Sequence, residues 1–207
     1  MLVWLPGNAP KPGFEEQFTR IIELTQANPE RDHTLLWNRF EEVSISPFET
    51  LAVPRVGFDE RATAWAIAQH ATLGDGVPLE EWLIEHAGHF VCELLPPCDG
   101  VPLGALTSGP LSFRAALLTG CEEIIGADRL AAAVTPQLAP QLLVYGVGLR
   151  NAAIEFAERL GIPIPPPPPA EFDPNVDDSP TKVRIVLAAA RWCTFWADRG
   201  HMVCPEF

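Results

Sequence analysis

The stretch PTKVRIVLAAARWCTFWAD, residues 180–198, decides the fold. Val183, Ile185, Val186, Leu187, Ala190, Trp192, Phe195 and Trp196 surround the axis of a helix drawn through it. Only Arg184, Arg191 and Asp198 form a polar stripe, narrow and repeating every seven residues. A helix that is apolar almost all round has no face to give to water, so it belongs in the middle of a helical core. Its start is marked by Ser179-Pro180. A side-chain oxygen there can accept an orphan N–H of the first turn. Proline in that turn has no N–H to waste, and its φ is already helical. The same pairing recurs at Asn28-Pro29, Ser46-Pro47 and Thr135-Pro136. Four such signals predict a chain built mainly from helices.

Apolar spacing outside this stretch agrees. Phe14, Phe18, Ile21 and Thr25 make one stripe, with Glu15, Glu16, Arg20 and Glu23 away from it; Leu36, Trp37, Phe40 and Val43 make a second. Asp59 is placed to cap a third helix through Ala62, Trp65, Ala66 and Gln69 to near Gly74. Pro78 is expected to open a fourth that runs to Leu95. Further helices are expected near Leu111 to Ile125, over Asp128 to Val134, and from Pro136 to Leu160. Pro140 and the Gly146/Gly148 pair are expected to bend the last of these. Strand signals are poor. Met1 to Leu5, Val53 to Val56 and Val101 to Leu106 are too short or too broken by proline to build a sheet, and no Asn-Gly or Asp-Gly turn sits between β-branched runs.

Pro163 and Pro165 through Pro169 must be extended polyproline II, and Glu171, Asp173, Asp177 and Asp178 follow. Residues 163–179 thus read as a stiff acidic strap to the last helix, in preference to a ligand for an SH3- or WW-like groove. The last helix must close the same core as the helices before the strap. The expected fold is therefore all-α: a compact, irregular bundle of about seven or eight helices in a single domain over residues 1–207, with the polyproline strap before the last helix.

Charge narrows function. Asp plus Glu number 27 against 14 Lys plus Arg, a net charge of −13. Direct nucleic-acid or anionic-membrane binding needs a basic face, and none is expected here. The first residues have no basic segment, and Pro6 stops the apolar run, so no secretory signal is expected. The longest apolar runs fall far short of the ~20 residues that span a bilayer. Five cysteines with irregular spacing fit reduced thiols in a cytoplasmic protein. Lysine is confined to Lys11 and Lys182, and alanine and proline are abundant, a composition expected of a bacterial source.

Motifs with chemistry are few. Glu85-His86-Ala87-Gly88-His89 and Glu93 would place His86, His89 and Glu93 on one face of the fourth helix, a reasonable ligand set for Zn²⁺ or Fe²⁺. The order is not that of a zincin, whose histidines are four apart with the glutamate between them. His86 also falls on the stripe of Leu79, Leu83 and Phe90, where a core histidine is the simpler account. Cys193, His201 and Cys204, with Cys98 or Cys92, would make a second cluster, but their spacing fits no zinc module, and buried thiols behave as small hydrophobes. Gly146-Val147-Gly148 lacks the third glycine of a dinucleotide loop. No Walker lysine and no nucleophile elbow are present. No cofactor is expected.

What remains is an asymmetry of charge. Between Arg61 and Arg114 there is no Lys or Arg, while Asp75, Glu80, Glu81, Glu85, Glu93 and Asp99 fall there. Such acids either keep a protein soluble or form an electronegative docking face. The second reading assigns partner binding to Asp75, Glu80, Glu81, Glu85 and Asp99, with Trp82 as an apolar anchor if it is exposed. The expected function is that of a non-enzymatic acidic binding protein of the bacterial immunity or antitoxin kind, neutralising a basic toxin by direct contact. The alternatives are a small helical metal-dependent enzyme using His86, His89 and Glu93, and an assembly or adaptor subunit.

Overall fold

The computed structural model describes residues 1–27, 33–73, 76–102, 104–164 and 173–207. In chain order its regular elements are β1 (Val3–Pro6), β2 (Ala9–Pro10), α1 (Glu15–Ala27), α2 (Thr34–Val43), β3 (Ser44–Ile45), α3 (Pro47–Thr50), α4 (Glu60–Leu73), α5 (Leu79–Glu85), α6 (Glu122–Ala132), α7 (Ala139–Leu160), α8 (Ser179–Ala197) and β4 (Val203–Glu206). Short 3₁₀ turns lie at Cys92–Leu94, Gly104–Leu106 and Ala115–Cys121. The fold is mostly helical, 59% by residue, with two small sheets. It is therefore not purely all-α: β1 pairs antiparallel with β4, Val3 opposite Glu206, and β2 pairs with β3, Ala9 opposite Ile45. None of the helices described is long and apolar enough to cross a membrane. The chain packs as two compact units, residues 1–46 with 98–207, and residues 47–97.

In the first unit α8 is the central element, as its sequence predicts. Val183, Ile185, Val186, Leu187, Ala190, Trp192 and Trp196 are buried, and the helix packs along α7 more extensively than any other pair of elements. Gly146 of α7 makes that approach possible. A Cβ there would stand 2.9 Å from Cβ of Cys193 and 3.2 Å from the Ala190 carbonyl oxygen. The expected bend is thus replaced by a close helix–helix contact. Pro136 does not open α7 either. The helix begins after Leu138, where the Gln141 side chain accepts the Leu138 N–H, and Pro140 occupies the first turn. At α8 the cap is Asp178, one residue before the expected serine; its Oδ1 accepts the Thr181 N–H at 2.6 Å. Asn28-Pro29 and residues 165–172 of the strap, which hold the Pro165–Pro169 run, lie outside the described residues.

An aromatic cluster joins the first strand to α8. Trp4 is fully buried, lies 5.5 Å from Phe113 and 5.8 Å from Trp192 between ring centroids, and donates Nε1–H to the Ala133 carbonyl at 2.7 Å. Trp192 donates its own Nε1–H to the Leu111 carbonyl at 3.0 Å. A second core forms where the α1 stripe meets α2: Phe18, Ile21, Ile22, Val43 and Met202, flanked by Phe14 and Phe40. Trp37, expected on that stripe, is about half exposed at 49% and meets Phe40 edge-on.

His201 is buried beside Trp196 and donates Nδ1–H to the Gly7 carbonyl at 2.7 Å. Burial, aided by Arg199, holds its pKa below the ordinary histidine range. The folded chain therefore binds this proton less readily than the unfolded chain. The stability it supports is present above the ordinary histidine pKa and is lost as pH falls below it. Urea midpoints measured between about pH 7 and 5 should fall with acidity, and His201→Gln should flatten that slope. An unchanged slope in the variant would contradict the assignment.

In the second unit Asp59 caps α4 as expected, its Oδ1 accepting the N–H groups of Arg61 and Ala62 at 2.8 and 3.1 Å. Ala62 and Ala66 pack with Val56 and Val91, and Trp65, Leu83 and Leu94 cover them. The fourth helix is much shorter than its sequence suggests, for α5 stops at Glu85. Gly88 takes the left-handed region, φ 84°, and its N–H bonds to the Val56 carbonyl at 2.8 Å. Val56 N–H reaches the His89 carbonyl at 3.0 Å, and Val91 N–H the Pro54 carbonyl at 2.9 Å. Segment 54–56 thus takes up backbone groups that a continuing helix would have used, and Gly88 can turn at little steric cost.

Candidate protein-binding face

The early end of α5 rearranges every residue expected to act from it. His86, His89 and Glu93 do not share a helix face. His86 stacks on Trp82 at 3.8 Å between ring centroids, with its Nδ1 2.9 Å from the Trp82 carbonyl oxygen. His89 stacks on Trp65 at 6.1 Å and meets His86 edge-on at 6.3 Å. His70 adjoins Trp82 at 5.9 Å and places Nε2 2.7 Å from the Val77 carbonyl oxygen. The result is a row of two indole and three imidazole rings, Trp65–His89–His86–Trp82–His70. Glu93 sits in the 3₁₀ turn beyond it. Among the described residues no three His, Cys, Asp or Glu side chains come together as a metal-ligand set, at this row or at Cys193, His201 and Cys204.

The thiols are all free. Cys92 is pushed up to about 11, first by burial and then by Glu93. Cys121 is also pushed up to about 11, by burial first. Burial raises Cys193 further still. Thiols held this way stay protonated at neutral pH and are poor nucleophiles.

The other side of α5 is built differently. At 100° per residue Leu79, Trp82 and Leu83 point one way, while Glu80, Glu81, Ile84 and Glu85 occupy the opposite ~140° of arc. Trp82 is half-buried, with Nε1–H donated to the Ala66 carbonyl at 3.1 Å. It is a packing residue and not the exposed anchor that sequence allowed. Glu80, Glu81 and Glu85 are exposed, and none of them has an ion-pair or hydrogen-bond partner for its carboxylate among the described residues. Ile84 stands between them at 69% exposure.

Exposed apolar groups recur in the same unit. Phe58 and Ile67 are both open to solvent, and the Arg55 guanidinium lies 4.7 Å over the Phe58 ring. Ile84 is the residue that sequence reading missed. A helix drawn to Leu95 put its polar face partly on Cys92 and His89 and drew attention from Ile84, although 100° per residue already sets Ile84 opposite Leu79 and Leu83 and between Glu80 and Glu81.

Two of the residues expected on this face are not found there. Asp75 lies outside the described residues. Asp99 belongs to the first unit, where its Oδ1 accepts Nε–H of Arg191 at 3.1 Å. No family model, curated protein or solved structure matches this chain.

Proposed function

We propose that this chain is a non-enzymatic binding protein that captures a basic protein on the outer face of α5, in the manner of a bacterial immunity or antitoxin protein acting on a toxin in the cytoplasm. The observation that carries this reading is Ile84, exposed and flanked by Glu80, Glu81 and Glu85, whose charges are not neutralised within the described chain. A well-packed interface has an apolar centre that loses its water and a charged rim that keeps some. An unpaired acidic rim on a chain of net charge −13 attracts basic partners over long range and repels nucleic acid. Burial keeps the Cys92, Cys121 and Cys193 thiols protonated, which favours binding over nucleophilic catalysis.

The test places a photo-crosslinking amino acid at position 84 in cells, and at position 144 as an exposed control in the first unit. Position 84 should crosslink to a basic protein, and position 144 should not. With that protein purified, its association rate should fall steeply between about 50 and 300 mM salt. Glu80→Lys together with Glu81→Lys should slow association about tenfold or more while changing dissociation less. Absence of a position-specific crosslink, or an association rate indifferent to salt and to these reversals, would overturn the proposal.

A further inference from the structure

The first unit holds a cleft of about 510 Å³ with a charge opposite to that of the chain as a whole. Arg150 of α7, Arg191 of α8 and Arg199 just beyond α8 all line it, facing Asp99 and Asp198. Three guanidiniums meet two carboxylates, in a protein where acids outnumber bases by 27 to 14. One of those carboxylates is already engaged, since Asp99 accepts only Nε–H of Arg191. The two NH₂ groups of Arg191 make no hydrogen bond among the described residues. Arg150 is exposed and its guanidinium has no ion-pair or hydrogen-bond partner among them. The cleft thus keeps a surplus of forked N–H donors, whose planar geometry suits a carboxylate or phosphate.

One wall is apolar and rigid. The Phe195 ring lies under the Arg199 guanidinium, 3.6 Å from Cζ to ring centroid, and Arg199 also donates to the Phe195 carbonyl at 2.9 Å. The same ring is packed against Gly100, where a Cβ would overlap it. Trp196 meets it edge-on at 5.2 Å. Leu187 and Ile164 complete the apolar lining. A glycine backbone, a phenyl ring and a guanidinium stacked in sequence fix both the aromatic surface and one of the cations before any ligand arrives, which lowers the ordering cost of binding.

We infer that this cleft binds a small organic anion, its carboxylate or phosphate head on Arg150, Arg191 and Arg199 and its apolar body against Phe195 and Ile164. The site is independent of the α5 face and would stand if that face proved to bind nothing.

Phenyl phosphate is a suitable probe, followed by amide chemical shifts of the ¹⁵N-labelled full chain at low salt. Saturable shifts are expected within residues 187–199 and at 99–100. Arg150→Gln removes an exposed side chain that has no ion-pair or hydrogen-bond partner among the described residues. It should leave the circular dichroism spectrum unchanged and weaken binding about tenfold. Inorganic phosphate should bind about tenfold more weakly than phenyl phosphate, because it leaves Phe195 and Ile164 uncovered. The inference is overturned by any of three results: no saturable shift at these residues, full affinity in Arg150→Gln, or inorganic phosphate binding as tightly as phenyl phosphate. Arg199→Gln gives a second reading of the same site and should weaken binding without altering the shifts of residues around Ile84.

Discussion

Trp192→Ala is expected to cost about 3–5 kcal/mol of stability, a large part of the ~5–15 kcal/mol that holds a domain of this kind together. The side chain is fully buried and touches three rings, Trp4, Phe113 and Trp196, at centroid distances of 5.8, 6.4 and 6.4 Å. Neighbours on β1, on the segment around Phe113 and on α8 itself cannot all collapse into the space it leaves, so most of the cavity should persist. The Leu111 carbonyl would also lose its indole donor. Trp192→Phe separates the two contributions. It keeps most of the apolar volume and loses the hydrogen bond, and should cost roughly 1–3 kcal/mol. Urea denaturation at pH 7 reads both. A loss below about 1 kcal/mol for the alanine variant would show that α8 is not the centre of the fold.

The second large effect is expected from Gly146→Val. Its first carbon would fall 2.9 Å from Cβ of Cys193 and 3.2 Å from the Ala190 carbonyl oxygen, and the second of these is helix backbone that no rotamer change can move. The two longest helices would have to separate along their shared length. Overpacking of this kind costs about 1–3 kcal/mol and sometimes more. Gly148→Ala provides the contrast. Its Cβ would meet Nε of Arg129 at 3.1 Å, part of a flexible side chain, and the loss should be only a fraction of that at position 146. Thermal unfolding of the two variants side by side tests the difference. Equal destabilisation would contradict the close approach of α7 and α8.

The parts of this fold that could be read from sequence are those whose signal is local. The all-round apolar character of residues 180–198, the α1 stripe and the Asp59 cap each depend on residues within a few positions of one another, and each appears in the structure. The misreadings have distant causes. Nothing near Gly88 reveals that its N–H will be claimed by Val56, thirty-odd residues earlier, so α5 looked twice its length. Gly146 looked like a hinge because its reason lies on α8. The four residues of β1 carry no alternation long enough to register, since their partner is at the other end of the chain. The proposed binding face shows the same division. The run without Lys or Arg is a property of sequence alone, and it correctly marked Glu80, Glu81 and Glu85 as exposed acids. That Trp82 turns inward while Ile84 turns outward follows from 100° per residue about the Leu79/Leu83 stripe, and it was legible in the sequence. The arginine cleft was illegible, because Arg150, Arg191 and Arg199 come together only through the packing of α7 on α8.

The pairing of β1 with β4 has a consequence for synthesis. Val203 leaves the ribosome about two hundred residues after Val3, at roughly 5–20 residues per second. For on the order of ten seconds or more the first strand has no permanent partner. Within that interval it can meet Phe113, whose N–H and carbonyl bond to Trp4 at 2.9 and 2.8 Å, but not Trp192 or β4. Residues 47–97 form a compact unit of their own and have all been synthesised well before then. The first unit must instead keep the Trp4 indole waiting, open to chaperones and to other nascent chains, until α8 and the strand after it have been delivered.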